Sequence, residues 1–494
     1  MRKSMNILSA IVLAGTLAAC NSPAENLSGS GNGGGEISGE KNVVKAYVTT
    51  SDRSHLFTEK DLEFNRPASM SPYIVNLDFD RTYQTVDGFG AAVTGATSYN
   101  LMKMQQEDRT AFLKDIFDRE EGLGSSLIRV SIGASDFPAG RKEFTWCDTE
   151  GIENFAPHSD DVQYLVPVLK EIYAINPDVK IIGSPWSAPV WMKESASWTS
   201  ASLKPEYYDD YAQYFVKWIQ YMESQGFDIY AVTPQNEPLN KGNSMSMYMG
   251  WQQQRDFIKQ ALGPAFRDAG IDTKILVFDH NFNYDNIADQ IGYPLHIYED
   301  PDASQYVAGS AWHSYGGNVS ELDQIIYEYP DKEIYFTEAS IGAWNYTFEN
   351  CLVNDFETIF IGTLSRMGKG VTLWNLLLDD KGGPYGSAGA CTTCYGAVDI
   401  SSSDYHTLTY RTHYYNIAHA SKVIMPGAVR IGTEGFELDG LDYLAFRNPD
   451  GSIGVIIVNK NTGAQTLTFN TDEYSVNYEV PGRSLVSLFW NYVK

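Results

Sequence analysis

Between Val86 and Trp374 the chain carries eight short apolar runs separated by segments of helical character, and few folds accept that rhythm. The runs are Val86 to Val93, Ser126 to Ile132, Val179 to Pro185, Ile229 to Thr233, Lys274 to Asp279, Tyr306 to Trp312, Glu333 to Thr337 and Gly370 to Trp374. Helical candidates lie between them, for example Ser98 to Arg119, Pro205 to Ser224 and Met249 to Ala269. Strands buried on both faces and joined through helices form parallel sheets. Eight such units in series predict an α/β fold closed as a (β/α)8 TIM barrel. The alternative is an open, doubly wound sheet, but no GxGxxG loop follows the first strand.

Two of the runs pass abruptly into polar residues. Ile229-Tyr230-Ala231-Val232-Thr233 leads at once into Pro234-Gln235-Asn236-Glu237-Pro238, and Ile334-Tyr335-Phe336-Thr337 ends on Glu338. A barrel presents its reacting groups at C-terminal strand ends. One such Glu is ordinarily a loop carboxylate facing water. Two of them, on the fourth and seventh strands, predict paired carboxylates facing one pocket. Glycoside hydrolysis needs such a pair: an acid to protonate the leaving oxygen, and a carboxylate to attack or to activate water.

The flanks are β in character. Ala46 to Thr50 and Tyr73 to Leu77 alternate before the barrel; Asp442 to Phe446, Ile453 to Asn459, Ala464 to Phe469 and Ser484 to Trp490 read as strands after it. A side β-sandwich built from both ends is expected. The predicted organisation is a signal peptide over 1–19, a tether over 20–42, N-terminal sandwich strands over 43–85, the barrel over 86–422 and the C-terminal sandwich over 423–494.

The signal reading rests on Arg2 and Lys3, the apolar run Ile7 to Leu17, and Leu17-Ala18-Ala19-Cys20, which resembles a bacterial lipobox. It implies cleavage before Cys20, lipid on that Cys, and a cell-envelope lipoprotein of the outer membrane that meets the membrane only through its lipid. An ordinary secreted protein is the alternative. Asn21 to Glu40, rich in Gly, Ser, Asn and Glu, reads as a flexible tether. No other stretch is long and apolar enough for a transmembrane helix.

A formal charge of −26 argues against nucleic acid, which demands basic stripes, and favours a neutral partner. The 32 Tyr and 10 Trp suit either sugar stacking or a packed core. Neither a cofactor nor a metal is expected, since His313 has no His or Cys partner at ligand spacing. The chain is expected to be a monomer. Cys391-Thr392-Thr393-Cys394 in an exported protein predicts a local loop disulfide, whereas Cys147 and Cys351 stand alone.

Set in order along the eight strand ends, the motifs resemble glycoside hydrolase family 30, the glucosylceramidases and β-1,6-glucanases of clan A. They are Gly88-Phe89-Gly90-Ala91-Ala92, Arg129-Val130-Ser131 with Asp136-Phe137, Ser184-Pro185-Trp186-Ser187-Ala188-Pro189, Thr233-Pro234-Gln235-Asn236-Glu237-Pro238, Trp312-His313-Ser314-Tyr315, Phe336-Thr337-Glu338-Ala339-Ser340 and Trp374-Asn375-Leu376. The resemblance implies Glu338 as nucleophile and Glu237 as general acid and base in a retaining mechanism. Glu237 would then hold a raised pKa and Glu338 stay ionised. Asn236 would grip the sugar 2-OH, and Asp136, Trp186, His313, Tyr315 and Trp374 would line the sugar subsite, the two Trp offering an apolar face and an N–H. One departure is Thr94-Gly95, where many relatives carry Thr-Asp. Three functions follow: hydrolysis of β-linked glucan, with the Gly383-Pro384 to Gly396 loop resembling the β-1,6-glucanase branch; hydrolysis of short glucosides or glucosylceramide; or silent sugar binding by a lipoprotein. Both Glu being present argues against the last.

Overall fold

The computed structural model describes residues 43–64, 71–282, 287–471 and 474–491. The predicted signal peptide, the tether and Cys20 lie outside them. The barrel strands are Gly88–Ala91, Leu127–Ser131, Lys180–Ser184, Ile229–Val232, Lys274–Asn281, Val307–His313, Glu333–Glu338 and Gly368–Leu373. All pair in parallel with their neighbours. The bridge from Ala92 to Arg129, with Val93 N–H donating to the Arg129 carbonyl at 2.9 Å, joins first strand to second and closes the sheet. That closure excludes the doubly wound alternative. The lumen is filled by Leu127, Ile182, Ala231, Leu276, Ala311 and Tyr335, one side chain from each of six strands, so it is a packed core and not a pore.

The expected helix over Ser98 to Arg119 is two helices, Gly95–Lys103 and Gln106–Phe117, because Met104 and Gln105 are extended. Arg109 bridges the break: its Nη1 donates to the Met104 carbonyl while Nε and Nη2 grip Glu171. Gly95, the departure from the family pattern, packs on the Pro138–Ala139 backbone, where any Cβ would crowd it. Thr94 caps the helix it begins and also donates to Asn375 Oδ1 at 2.7 Å.

The sandwich is a nine-stranded sheet in which the chain's two ends interleave. Val43–Thr50 lies between Thr58–Glu63 and Ser484–Trp490, and Ile74–Thr85 between Val429–Gly435 and Gln465–Asn470. Three of its strands escape sequence patterning: Thr58–Glu63, Val429–Gly435 and Ser475–Val480. The first is a charged edge strand whose Glu59 and Asp61 both meet Lys45, the composition by which edges avoid further pairing. Buried His419, on the helix Thr412–Ser421, joins the sandwich to the barrel through Thr49 and Ser487 hydroxyls at 2.9 and 2.8 Å. No helix among the described residues is long and apolar enough to cross a membrane.

Candidate active site

At the C-terminal mouth of the barrel one cation organises four strands. Arg129, in the middle of the second strand, is fully buried. Its Nη1 donates to Glu338 Oε2 at 2.5 Å, Nη2 to Asp279 Oδ2 and Asn236 Oδ1 at 2.7 Å each, and Nε to Ser184 Oγ at 3.2 Å. A buried guanidinium is tolerable only with such partners. Asn236 thereby has its carbonyl committed to Arg129, which leaves its NH2 as a donor for the pocket. Asp279 completes the frame by accepting from Thr233 and Thr337 hydroxyls at 2.7 Å and lying 3.0 Å from His313 Nε2. It reaches these groups through a bulge: the pairing register slips between Phe278 and His280, and both Phe278 and Asp279 have positive φ. Bulges at strand ends re-aim side chains in this way.

Glu237 also has a positive φ, 43°, with its N–H donating to the Asp279 carbonyl. Left-handed backbone at a non-glycine residue marks positions held by their surroundings. Its Oε2 accepts from Asn240 Nδ2 at 2.8 Å, and Oε1 lies 3.7 Å from His313 Nδ1. Glu338 Oε1 accepts from the Tyr315 hydroxyl at 3.0 Å, which also meets Ser340. One atom each of Glu237, His313 and Glu338 lies within 4.8 Å of the other two. This is the candidate cation cluster among the described residues, but the positive charge beside Glu338 and Asp279 is already Arg129's. The geometry suits a substrate bond between two carboxylates.

The electrostatics differ from the expectation of a raised Glu237 and an ionised Glu338. Burial pushes Glu237 up, but His313, His280 and Asn240 outweigh it and bring it down to about 2. Burial and the charge of Glu237 raise Glu338, against His313 and Arg129. His313 is the reason: burial opposes its charge, yet Glu338, Asp279 and Glu237 together lift it to about 9. It is a charged neighbour of both carboxyls, not only a sugar contact.

The other predicted residues do converge. Asp136, Trp186, Asn236, Tyr315 and Trp374 line one cavity of about 320 Å³ with Glu237 and Glu338, and Trp344, Cys391 and Cys394 stand at its rim. Trp186 and Trp374 stack on each other, centroids 5.0 Å apart, with Arg129 within 5.4 Å of both rings. Part of their aromatic surface therefore holds the cation rather than a sugar. Trp374 Nε1 and Asp136 Oδ1 are buried without partners among the described residues. Burial and the nearby Glu338 and Glu237 push the Asp136 carboxyl well up, so its charged form is disfavoured there. Cys391 and Cys394 are disulfide-bonded, while Cys147 and Cys351 are free.

Sequence reasoning singles out neither Arg129 nor Asp279 as a site residue, and misses Asn240 and Trp344. A charge inside the apolar run around Arg129 is a signal of buried acid partners. Asp279-His280-Asn281 repeats the polar strand tip that marks Glu237.

The chain matches the glycosyl hydrolase family 30 TIM-barrel domain over residues 86–424 and that family's β-sandwich domain over 427–488. It is 32% identical over 463 residues to endo-1,6-beta-D-glucanase BGN16.3 of Trichoderma harzianum, covering 87% of this chain and 88% of that one. It is 26% identical over 445 residues to the lysosomal acid glucosylceramidase of Mus musculus, covering 84% and 83%. Among solved structures it is similar to the endo-beta1,6-glucanase BT3312, with a TM-score of 0.88 and 49% identity over 91% of this chain and 100% of that one. A closed barrel with a sandwich from both chain ends, two carboxyls across its mouth, and these matches leave one assignment: the chain belongs to glycosyl hydrolase family 30 and is a retaining glycoside hydrolase.

Proposed function

We propose that the protein hydrolyses β-1,6-linked glucan, with Glu338 as nucleophile and Glu237 as acid and base. The observation that carries the mechanism is that one oxygen of Glu237 lies within 4.8 Å of one oxygen of Glu338. Retaining enzymes hold their carboxyls about 5–5.5 Å apart, whereas inverting ones leave about 6.5–9.5 Å for a water. The linkage rests on likeness to two proteins named as endo-1,6-glucanases.

Glu338 attacks the anomeric carbon while Glu237 gives a proton to the glycosidic oxygen. The Glu338 glycosyl ester is then hydrolysed by a water that Glu237 deprotonates. Arg129 and the Tyr315 hydroxyl orient the attacking carboxylate. The acid's proton comes from His313. His313 Nδ1 lies 3.7 Å from Glu237 Oε1, and moving one proton across that gap converts imidazolium and carboxylate into imidazole and carboxylic acid. The net charge of the site is unchanged, so a substrate that desolvates the gap favours the neutral pair. The deep end, lined by Asp136, Asn236 and Trp374, takes the sugar whose anomeric carbon is attacked.

The test is kcat/KM on linear β-1,6-glucan against laminarin, cellulose, xylan and glucosylceramide, with early products followed by NMR. Faster cleavage of β-1,6-glucan to β-configured products is expected. A tenfold preference for glucosylceramide would replace the glucan reading, and an α product would remove Glu338 as nucleophile. Lipid on Cys20, proposed from sequence, would hold the enzyme at the cell envelope; wild type recovered wholly soluble would exclude it.

A further inference from the structure

Trp344 is a large apolar side chain left half exposed, 52%, at the rim of the catalytic cavity. An indole exposed beside two catalytic-type carboxyls calls for a reason, and the backbone shows that its position is built. A Cβ on Gly342 would collide with the six-membered ring of Trp344 and crowd the Thr393 carbonyl. Only glycine there lets the ring fold back over the main chain. The same short segment, Ile341–Gly342, pairs antiparallel with Cys394–Tyr395, and Ala343 N–H donates to the Thr393 carbonyl at 2.9 Å. The Cys391–Cys394 disulfide closes the turn that makes this clamp. Just before the disulfide, the same stretch is tied to the mouth's other side, where Gly386 N–H meets the Asp136 carbonyl and Ser244 N–H meets that of Ala388. The loop after the nucleophile strand is therefore fixed, with its indole presented at the opening.

We propose that Trp344 is the platform for the glucosyl unit on the leaving-group side of the scissile bond, and that the disulfide loop is its positioning element. This rests on the glucan reading above. The deep end of the cavity is closed by buried Trp186 and Trp374, so a chain whose anomeric carbon lies between Glu237 and Glu338 leaves past the rim. The extra methylene of a 1,6 link lets the next ring swing out of line with the first. It can then lay its apolar C–H face on a lateral indole.

The experiment compares Trp344→Ala and Trp344→Phe with wild type on two substrates. One is linear β-1,6-glucan. The other is β-glucosyl or β-gentiobiosyl fluoride, whichever the wild type turns over faster, since fluoride has no ring to stack. For Trp344→Ala the expected result is a loss of about tenfold in kcat/KM on glucan, carried by KM, and at most a twofold change on the fluoride. Trp344→Phe should restore most of the loss, and Cys391→Ser with Cys394→Ser should reproduce part of it on glucan only. Equal losses on both substrates, or none on glucan, would overturn the platform. If the wild type prefers another β-glucan, the pair is measured on that polymer. A polymer-selective loss there keeps the platform and rejects the 1,6 linkage; an unselective one rejects both.

Discussion

The two ends of the barrel hold charge clusters made from the same residue types, yet only one is equipped for chemistry. At the N-terminal end, Glu333 accepts from Lys274 and Lys369 at 2.7 Å each, and Asp87 accepts from Lys180 and from the hydroxyls of Tyr230 and Tyr335. Three cations face two acids, and every one has a partner. Burial pushes both carboxyls up, but the lysines outweigh it and hold them below their usual range. At the C-terminal mouth four acids, Asp136, Glu237, Asp279 and Glu338, face Arg129 and two histidines, His280 and His313. Their carboxyls are driven apart: Glu237 and Asp279 down, Glu338 and Asp136 up. Trp374 Nε1 and Asp136 Oδ1 lack partners there among the described residues. A balanced, satisfied network is a plug. An unbalanced one that opens on a cavity is a site, and the spread of pKa values is its signature.

The comparison is broken most directly by neutralising one acid at each end. Glu338→Gln should lower kcat by about 10⁴-fold or more on every substrate while leaving the fold intact, because no other group can form the covalent intermediate. Full activity of the variant would end the assignment. Glu237→Ala should lose about 10²–10⁴-fold on glucan but far less on a dinitrophenyl glucoside, whose leaving group needs no proton. Added azide should rescue it as a β-glycosyl azide. At the other end, Lys274→Met leaves Glu333 with fewer partners. A loss of about 2 kcal/mol and a Tm lowered by a few degrees are expected, discounted for partial exposure of the pair, with kcat unchanged. A large fall in kcat at constant Tm would show that the plug takes part in the chemistry.

How much of this is legible in the sequence follows the same divide. All eight barrel strands show as apolar runs, since burial on both faces demands it, and Glu237 and Glu338 show as strand tips. Asp279 carries the same tip signal, but its entry into the site depends on a bulge, a backbone feature that composition does not record. Arg129 lies inside an apolar run where only its tertiary partners explain it. Trp344 and Asn240 sit in loops, Trp344 on a segment held by the distant Thr393 and Asn240 in a turn tied to Glu237, Gly242 and Asn243. The low pKa of Glu237 depends on an imidazole 3.7 Å away and 76 positions on by number, so no local pattern could predict it.

His313 supplies the finest test. In the free enzyme one proton belongs to the pair His313 and Glu237, and it is held on His313, pushed up to about 9 by Glu338, Asp279 and Glu237 against its burial. The enzyme able to protonate a leaving group is the form that still carries this proton. As pH rises through about 9 the pair loses it, so kcat/KM, which reports the free enzyme, should fall on an alkaline limb near that value. His313→Asn removes the imidazole that holds Glu237 near 2. Burial then pushes the Glu237 carboxyl up against His280 and Asn240, and the proton the pair retains sits on Glu237 itself with a lower pKa than the histidine had. The alkaline limb should therefore move down by at least one pH unit on glucan. It should be nearly absent for a dinitrophenyl glucoside under conditions where glycosylation is limiting, because that step needs no acid. A limb that stays near 9 in His313→Asn would place the titrating group elsewhere, and the mouth would then owe its pH dependence to something other than the His313–Glu237 pair.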